Sequence, residues 1–180
     1  MKELLSNQEP TLYILCGVAF SGKSTLANKL TERMDMEKVG IDVIRERRGL
    51  RWEENEKVTP EDWKSIMQEA YDDTFELLSS GKNVIFDSTN HDRESRNRLR
   101  ALAAKGNFPT KVIYIDVPTD VARSRWLRNK SEMQRSDLPE HLFQHAIDNL
   151  EKPTEDENVI SFSPTEDFDK WMEANFLGNT

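Results

Sequence analysis

The sequence has little cysteine, glycine or proline, and it has no long apolar stretch. Its single cysteine, Cys16, excludes an intramolecular disulfide and a cysteine-rich zinc site, and it indicates a reducing, cytoplasmic location. Only 7 glycines and 7 prolines occur in 180 residues, which excludes collagen-like and low-complexity chains. No apolar run approaches the roughly 18 residues of a membrane span. At about 150 residues per domain, we interpret the chain as one globular domain over residues 1–180.

Charge is abundant and unevenly distributed along the chain. Asp, Glu, Lys and Arg make up 32% of the residues, and the formal net charge at pH 7 is -8. Residues 151–180 hold 8 acidic and 2 basic side chains, whereas residues 91–135 hold 11 basic and 5 acidic ones. An acidic chain argues against a long nucleic acid as the partner, because phosphate-backbone binding requires a basic face. The basic stretch nevertheless suits a small anionic ligand.

Short apolar segments alternate with segments of helical periodicity. The apolar segments predict strands at 11–16, 38–41, 83–86, 111–115 and 158–162. The periodic segments predict helices at 23–34, 43–48, 59–80, 92–105, 119–130, 136–150 and 165–176. This order predicts an α/β fold, in which a parallel sheet is covered by helices on both faces. Ligands of such sheets bind beyond the carboxyl ends of the strands, which are followed here by Gly17, Asp42, Asp87 and Asp116.

The first strand end carries a phosphate-binding loop pattern. The segment Gly17-Val18-Ala19-Phe20-Ser21-Gly22-Lys23-Ser24 matches G-x-x-x-x-G-K-S/T, and Thr25 follows it. In such a loop, backbone N–H groups surround an anion and the next helix adds positive charge at its N-terminus. Lys23 then reaches the β- and γ-phosphates, and the Ser24 hydroxyl can bind Mg²⁺. We therefore predict that residues 17–25 bind a nucleotide; the alternative is a glycine turn that matches by chance.

Two aspartates at strand ends are candidates for the chemistry. Asp87 can hold Mg²⁺ together with Ser24, and the alternative is a helix cap. Asp42 precedes Arg45 by three residues, which puts both on one face of a helical turn. Asp42 can then accept the proton of an acceptor hydroxyl while Arg45 binds an anionic group of the acceptor. The alternative for this pair is a capped helix with a surface ion pair.

Other polar residues are predicted to contact the ligands. Thr89 and Asn90 follow Asp87, and Arg96 lies near the start of the next predicted helix, so we place all three on the substrate side. For the other arginines of that helix, a solvated face with ion pairs is the favoured interpretation. The segment 119–137 is predicted to be a lid, and its arginines suit the charge of a triphosphate.

The histidines and tryptophans are predicted to be mainly structural. His141 and His145 have the spacing of a helical metal site, but no third ligand lies near them in sequence. His91 is assigned to a surface loop. Trp52 is interpreted as a hydrophobic plug, with stacking on a base or sugar as the alternative, and Trp63 as a core residue.

Taken in order, these motifs resemble the zeta-toxin and polynucleotide-kinase-like branch of small P-loop kinases. Many members are described only as "predicted kinase" or "AAA family ATP-binding protein". The resemblance extends from about residue 11 to residue 163 and is carried by Gly17–Ser24, Asp42-x-x-Arg45, Asp87-Ser-Thr-Asn90 and Arg125-x-x-Arg128. It implies a three-layer fold with a five-stranded parallel sheet in the order 2-3-1-4-5 and a small helical lid.

The resemblance also implies roles for individual residues. In the polynucleotide 5′-kinases, the Asp that matches Asp42 is the general base, and the Arg that matches Arg45 contacts substrate phosphate. Lid arginines that match Arg125 and Arg128 clamp the phosphates, with Arg123 as the candidate in a shifted register. The sequence thus predicts a kinase that uses ATP and Mg²⁺ to phosphorylate a hydroxyl of a small or nucleotide-like acceptor. A polynucleotide 5′-hydroxyl kinase and an ATP-binding or hydrolysing regulatory module without an acceptor are the alternatives.

Overall fold

The computed structural model describes residues 9–134 and 137–177, apart from the side chain of Glu53. Its strands are β1 (Leu12–Cys16), β2 (Met36–Gly40), β3 (Asn83–Asp87), β4 (Thr110–Ile115) and β5 (Val159–Phe162). Its α-helices are α1 (Lys23–Arg33), α2 (Ile41–Arg47), α3 (Pro60–Ser79), α4 (Arg93–Ala104), α5 (Thr119–Glu132), α6 (Glu140–Asp148) and α7 (Phe168–Met172). Short 3-10 helices lie at Trp52–Lys57 and Glu155–Glu157, and a π-helical turn lies at Glu173–Leu177.

The five strands form one parallel sheet in the order β2-β3-β1-β4-β5. The central strand β1 is buried along its whole length, and its side chains alternate between two cores on opposite faces of the sheet. Leu12 and Ile14 belong to one core, and Tyr13 and Leu15 belong to the other. A strand that is covered on both faces requires apolar residues at every position, which is the pattern that marked it in the sequence. The predicted three-layer α/β fold and strand order are confirmed.

Several predicted element boundaries differ from the structure, among them those of the second strand and of the last two helices. The second strand ends at Gly40, so Asp42 lies in the first turn of α2 rather than at the strand end. The last helix begins after Asp167, whose side chain accepts a hydrogen bond from the Lys170 N–H, and Thr165 is not its cap. Helix α6 begins after Pro139 and ends at Asp148, whereas the predicted start at Ser136 lies outside the described residues.

A third, smaller apolar cluster joins α5 and α6 to the loop that follows β1. Phe20 of the loop lies beside Phe143 of α6, with ring centroids 6.3 Å apart. Trp126 of α5 stacks on Phe143 at 4.9 Å and donates its indole N–H to the Leu138 carbonyl at 2.9 Å. The two helices therefore cover the loop at the carboxyl end of the sheet. Over the described part of the chain, no helix has both the length and the apolar character that crossing a membrane demands.

Candidate active site

The loop between β1 and α1 depends on two glycines. A Cβ at Gly17 would lie 3.1 Å from Ser21 Oγ and 3.3 Å from the Ile115 carbonyl oxygen, so a larger residue would require these neighbours to shift by a few tenths of an ångström. The Gly17 N–H also donates to the Thr89 carbonyl at 3.0 Å, which ties the loop to the end of β3. Gly22 has a φ of 107°, which favours glycine, and it precedes α1 without a side-chain cap. The first N–H groups of α1 are thereby left for an anion.

Phe20 occupies a loop position where many related loops carry glycine. Its φ is 64°, a left-handed conformation that costs a side-chain-bearing residue about 1–2 kcal/mol. The buried ring packs against Phe143, which offsets this strain. Arg125 of α5 also donates to the carbonyls of Phe20 and Ser21 at 3.2 and 3.1 Å. Packing under the two helices thus maintains a conformation that glycine would adopt freely.

Lys23 begins α1 and is buried inside the loop. Its ammonium donates to the Val18 carbonyl at 2.6 Å, so the charged end lies on the concave side of the loop. This contact holds the lysine in place before any phosphate arrives. A preformed cation beside the uncapped helix N-terminus is the electrostatic arrangement that binds phosphate.

Ser24 and Asp87 form a second polar centre next to the loop. Burial raises the pKa of the Asp87 carboxyl, and the Lys23 charge and a hydrogen bond from Ser24 act in the opposite direction. Helix α4 is capped by Asp92, which accepts from the Ser95 N–H at 2.6 Å, so Asp87 is not a helix cap. A buried carboxylate beside a hydroxyl is a hard oxygen pair that fits Mg²⁺, an ion that takes its remaining ligands from phosphate and water. Among the described residues, no cluster of three or more His, Cys, Asp or Glu side chains offers a different metal site.

A cavity of about 310 Å³ opens in front of the loop. Its lining includes Lys23, Ser24, Asp42, Asp87 and Thr89, which the sequence had predicted to act together. Much of the remaining wall is apolar and includes Trp52, Trp63, Met67, Leu138, Leu142 and Ala146, while Ser88, His91 and His145 add polar groups.

Asp42 and Arg45 lie close together, but only Asp42 lines the cavity. Asp42 lines the cavity and accepts a hydrogen bond from the Trp52 indole N–H at 2.8 Å. Arg45 is only 1% exposed and does not line the cavity, because its guanidinium lies 3.8 Å from the ring centroid of Trp52 and 4.8 Å from that of Trp63. Burial lowers the pKa of Arg45, and the neighbouring Asp42 opposes this shift. The structure therefore does not place Arg45 where an acceptor group could reach it, contrary to the expectation from sequence.

Asn90 and Arg96 also lie away from the cavity. Asn90 has a φ of 41° and donates through Nδ2 to the Leu15 carbonyl at 2.7 Å. Arg96 is fully buried, donates to both carboxylate oxygens of Glu157 at 2.7 and 3.1 Å, and contacts the Asn90 carbonyl at 3.1 Å. These residues connect β1, α4 and the segment before β5. They therefore stabilise the end of β1, where the phosphate-binding loop begins, and do not face the cavity. Their burial corrects the predicted substrate-side placement.

Two of the three arginines of α5 line a second cavity on the other side of the loop. Arg125 and Arg128 line it, together with Gly22 and Thr25, which also line the first cavity. Arg123 points elsewhere, because it pairs with Gln144 and lies over the Phe143 ring at 5.5 Å. The structure thus favours Arg125 and Arg128 over the shifted register.

Several lining residues were not predicted from the sequence. Trp63 was interpreted as core and His145 as structural, yet both line the first cavity, as do Met67 and Leu142. Trp63 and Met67 are one helical turn apart on α3, and this spacing indicates that both lie on the same face of the helix.

Comparisons with known proteins agree with this architecture. Residues 12–153 match the family model AAA_33, an AAA domain. A solved structure from Chloroflexus aurantiacus, assigned as a candidate kinase, is similar with a TM-score of 0.72 and 19% identity, over 97% of this chain and 100% of that one. The Mycobacterium tuberculosis APS kinase CysC, solved with AMPPNP and APS, has a TM-score of 0.64 and 16% identity, over 96% of this chain and 99% of that one.

A third solved structure comes from the Pnkp1/Rnl/Hen1 RNA repair complex. Its TM-score is 0.65 at 23% identity, and the match covers 81% of this chain but 46% of that one. Among curated proteins we found no significant match. At these identities the solved structures establish the fold, and the family model establishes membership. The chain therefore belongs to the AAA domain family AAA_33, and it has the fold of a small P-loop kinase.

Proposed function

We propose that the protein is an ATP-dependent kinase that transfers the γ-phosphate to a hydroxyl group of a small or nucleotide-like acceptor. The observation that carries this proposal is the convergence of the phosphate-binding loop with two carboxylates, Asp42 and Asp87, on one walled cavity. A module that only bound nucleotide would have no use for a second carboxylate and an enclosed space in front of the loop.

The nucleotide binds across the N-terminus of α1 in this proposal. Its triphosphate lies on the loop N–H groups and on Lys23, and the second cavity takes the nucleoside end. Arg125 and Arg128 then lie beside the phosphates, where their positive charge stabilises the charge that develops during transfer.

Ser24 and Asp87 would hold Mg²⁺ in this site. The bound ion would supply neutralisation of the β- and γ-phosphate oxygens, which is its usual part in phosphoryl transfer. The carboxylate of Asp87 is already buried beside the Ser24 hydroxyl, so little rearrangement of the protein is needed to present the two oxygens.

Asp42 is the general base of the proposed reaction. The Trp52 N–H fixes one carboxylate oxygen and so orients the group within the cavity. As the acceptor oxygen bonds to the γ-phosphorus, the acceptor's proton passes to Asp42. The bond from that phosphorus to the β–γ bridging oxygen breaks, and ADP leaves with the electron pair. Arg45 acts through Trp52, on which its guanidinium lies, and is therefore a positioning residue.

An untargeted product screen tests this proposal. The protein is incubated with ATP, Mg²⁺ and a metabolite extract, and mass spectrometry detects compounds that gain a phosphate. We expect a product with the unaltered protein and a loss of about 100-fold or more with Asp42→Asn, which keeps an acceptor for the Trp52 N–H but cannot take the proton. ADP formation without any phosphorylated compound would instead support the hydrolysing module. Labelling of oligonucleotide 5′ ends in a parallel sample would support the polynucleotide kinase.

A further inference from the structure

The first cavity has an apolar wall that the protein itself does not fully cover. Trp52, Trp63 and Met67 line it from one side of the loop, and Leu138 and Leu142 come from the region of α6. All five side chains are half-buried, so each retains apolar surface that faces the cavity. Apolar surface collected inside a concave site is typical of ligand contact, since an apolar ligand covers it.

The same cavity offers little positive charge beyond the phosphate-binding loop. Among the described residues that line it, the basic side chains are Lys23, His91 and His145. Lys23 lies in the loop, where the nucleotide phosphates bind. Burial lowers the pKa of His91, with Asp92 opposing that shift, so its ring is neutral near pH 7. Arg45 is covered by two indole rings and is not available to an acceptor.

Carboxylates lie in the cavity and along one side of it. Asp42 and Asp87 lie within it, and a neighbouring groove that shares His91 and His145 is lined by four carboxylates, those of Asp92, Glu94, Asp148 and Glu151. Arg98 pairs with Glu94 and so offsets one of these charges, whereas Arg93 pairs with Asp156, which does not line the groove. Within the part of the chain that the structure describes, an acceptor with its own phosphate or carboxylate groups would meet like charges on this side, and Lys23 is the one lysine or arginine in the cavity lining.

We infer that the acceptor is an uncharged alcohol whose body is an aromatic or other flat apolar ring, bound against Trp52, Trp63, Leu138 and Leu142. This inference rests on the proposed kinase function and narrows it. Indole rings and aliphatic side chains cover a ring-shaped ligand well, whereas a polynucleotide would have to pass the acidic groove with its phosphates. Trp63 and Leu142 are thereby specificity-determining residues.

A library of alcohols in matched pairs tests the inference. Each pair has one ring-bearing neutral alcohol and one derivative with an added carboxylate or phosphate, such as thymidine with thymidine 3′-monophosphate and benzyl alcohol with 4-(hydroxymethyl)benzoate. Phosphate transfer from ATP is measured as kcat/KM for each member. We expect the neutral members to be the substrates, with kcat/KM at least about tenfold above that of the anionic partners, since one unpaired like charge costs that much or more. Transfer mainly to anionic members would overturn the inference while the kinase function stands. Transfer to no member would also overturn the inference, and the screen of the metabolite extract then decides whether the kinase function stands.

Two lysine variants, one within the cavity wall and one outside it, make the test specific to the wall. Leu142→Lys adds a cation to the cavity, and we expect it to raise kcat/KM for anionic members at least about tenfold relative to their neutral partners. Leu127→Lys is the matched control, because Leu127 is 54% exposed on α5, and we expect no change in preference. Equal effects of the two substitutions would overturn the assignment of the wall. Arg135→Ala is assayed in parallel, because Arg135 is a basic residue that lies outside the described residues. If the unaltered protein prefers anionic acceptors and this preference disappears in Arg135→Ala, the inference is overturned.

The aromatic side of the wall has its own variant. Trp63→Leu removes ring contact but retains an apolar side chain, so we expect KM for ring-bearing acceptors to rise about tenfold with little change in kcat or in ATP affinity. An unchanged KM in a folded variant would contradict the proposed contact.

Discussion

The indole nitrogen of Trp52 lies 2.8 Å from a carboxylate oxygen of Asp42. The same ring lies 3.8 Å from the guanidinium of Arg45, so one tryptophan connects the proposed base to a buried cation. The orientation of Asp42 therefore depends on a side chain that the sequence indicated as a hydrophobic plug or as a stacking surface for a base or sugar, and not as a partner of Asp42.

Replacing Trp52 by Phe tests this connection. Trp52→Phe keeps an aromatic ring on Arg45 but removes the N–H that orients Asp42. We expect kcat to fall about tenfold, because one hydrogen bond to a charged group is worth roughly 1.5 kcal/mol, while the dissociation constant of ATP stays unchanged. Trp171→Phe is the control, because it removes an indole hydrogen bond to the Ser161 carbonyl far from the cavity. An unchanged kcat in Trp52→Phe would refute the positioning role.

The left-handed conformation of Phe20 gives a prediction about stability. Phe20→Ala removes the contact with Phe143 and keeps the strained φ, so we expect the free energy of unfolding to fall by about 3 kcal/mol. Phe20→Gly loses the same contact but relieves the strain, and it should be about 1 kcal/mol more stable than Phe20→Ala. Urea unfolding of the two variants measures the difference.

The control for this comparison is Phe143, a buried residue within helix α6. At an ordinary helical position glycine is less stable than alanine by about 1 kcal/mol, so the order of the two variants should be reversed there. If Phe20→Gly proves less stable than Phe20→Ala, as expected for the Phe143 pair, Phe20 is not strained.

The buried pair of Arg96 and Glu157 gives a prediction about pH. Burial opposes ionisation of Glu157, but hydrogen bonds from Arg96 and from the Thr154 N–H outweigh it and hold the pKa below the ordinary value of 4.5. A carboxyl group with a depressed folded-state pKa stabilises the protein above the unfolded-state pKa, and this stabilisation is lost as the pH falls through the folded-state value.

We therefore expect Glu157→Gln to be about 3 kcal/mol less stable than the unaltered protein at pH 7, since it leaves Arg96 buried without its counter-charge. The difference should shrink steadily below about pH 4.5, as the unaltered protein loses its own charge pair. Chemical unfolding of both proteins at several pH values between about pH 3 and about pH 7 measures this difference in stability. A difference that stays constant over this range would show that the pair does not act through ionisation.

The sequence predicted the elements of this fold well where one local pattern determines them. The apolar run of β1 and the glycine spacing after it gave both the central strand and the phosphate-binding loop. The strand order came from the family resemblance, because no local pattern determines which strands become neighbours.

The sequence was less informative about which charged side chains are buried. The three-residue spacing of Asp42 and Arg45 correctly placed them near each other, but it could not show that two tryptophans cover the arginine. Arg96 was misplaced for a similar reason, since its partner Glu157 lies 61 residues away in the chain. A buried, paired arginine and a substrate-binding arginine have the same appearance in a sequence when the partner is distant.

Calorimetric titration of the protein with ATP in the presence of Mg²⁺ tests the central claim, which is that the loop and Lys23 bind the triphosphate. We predict saturable heat for the unaltered protein and an affinity at least about tenfold lower for Lys23→Met, because that variant keeps the chain length but loses the cation in the loop. Lys105→Met, at the exposed end of α4, should bind ATP like the unaltered protein. Absence of binding heat from the unaltered protein, or equal affinity in Lys23→Met, would contradict the account.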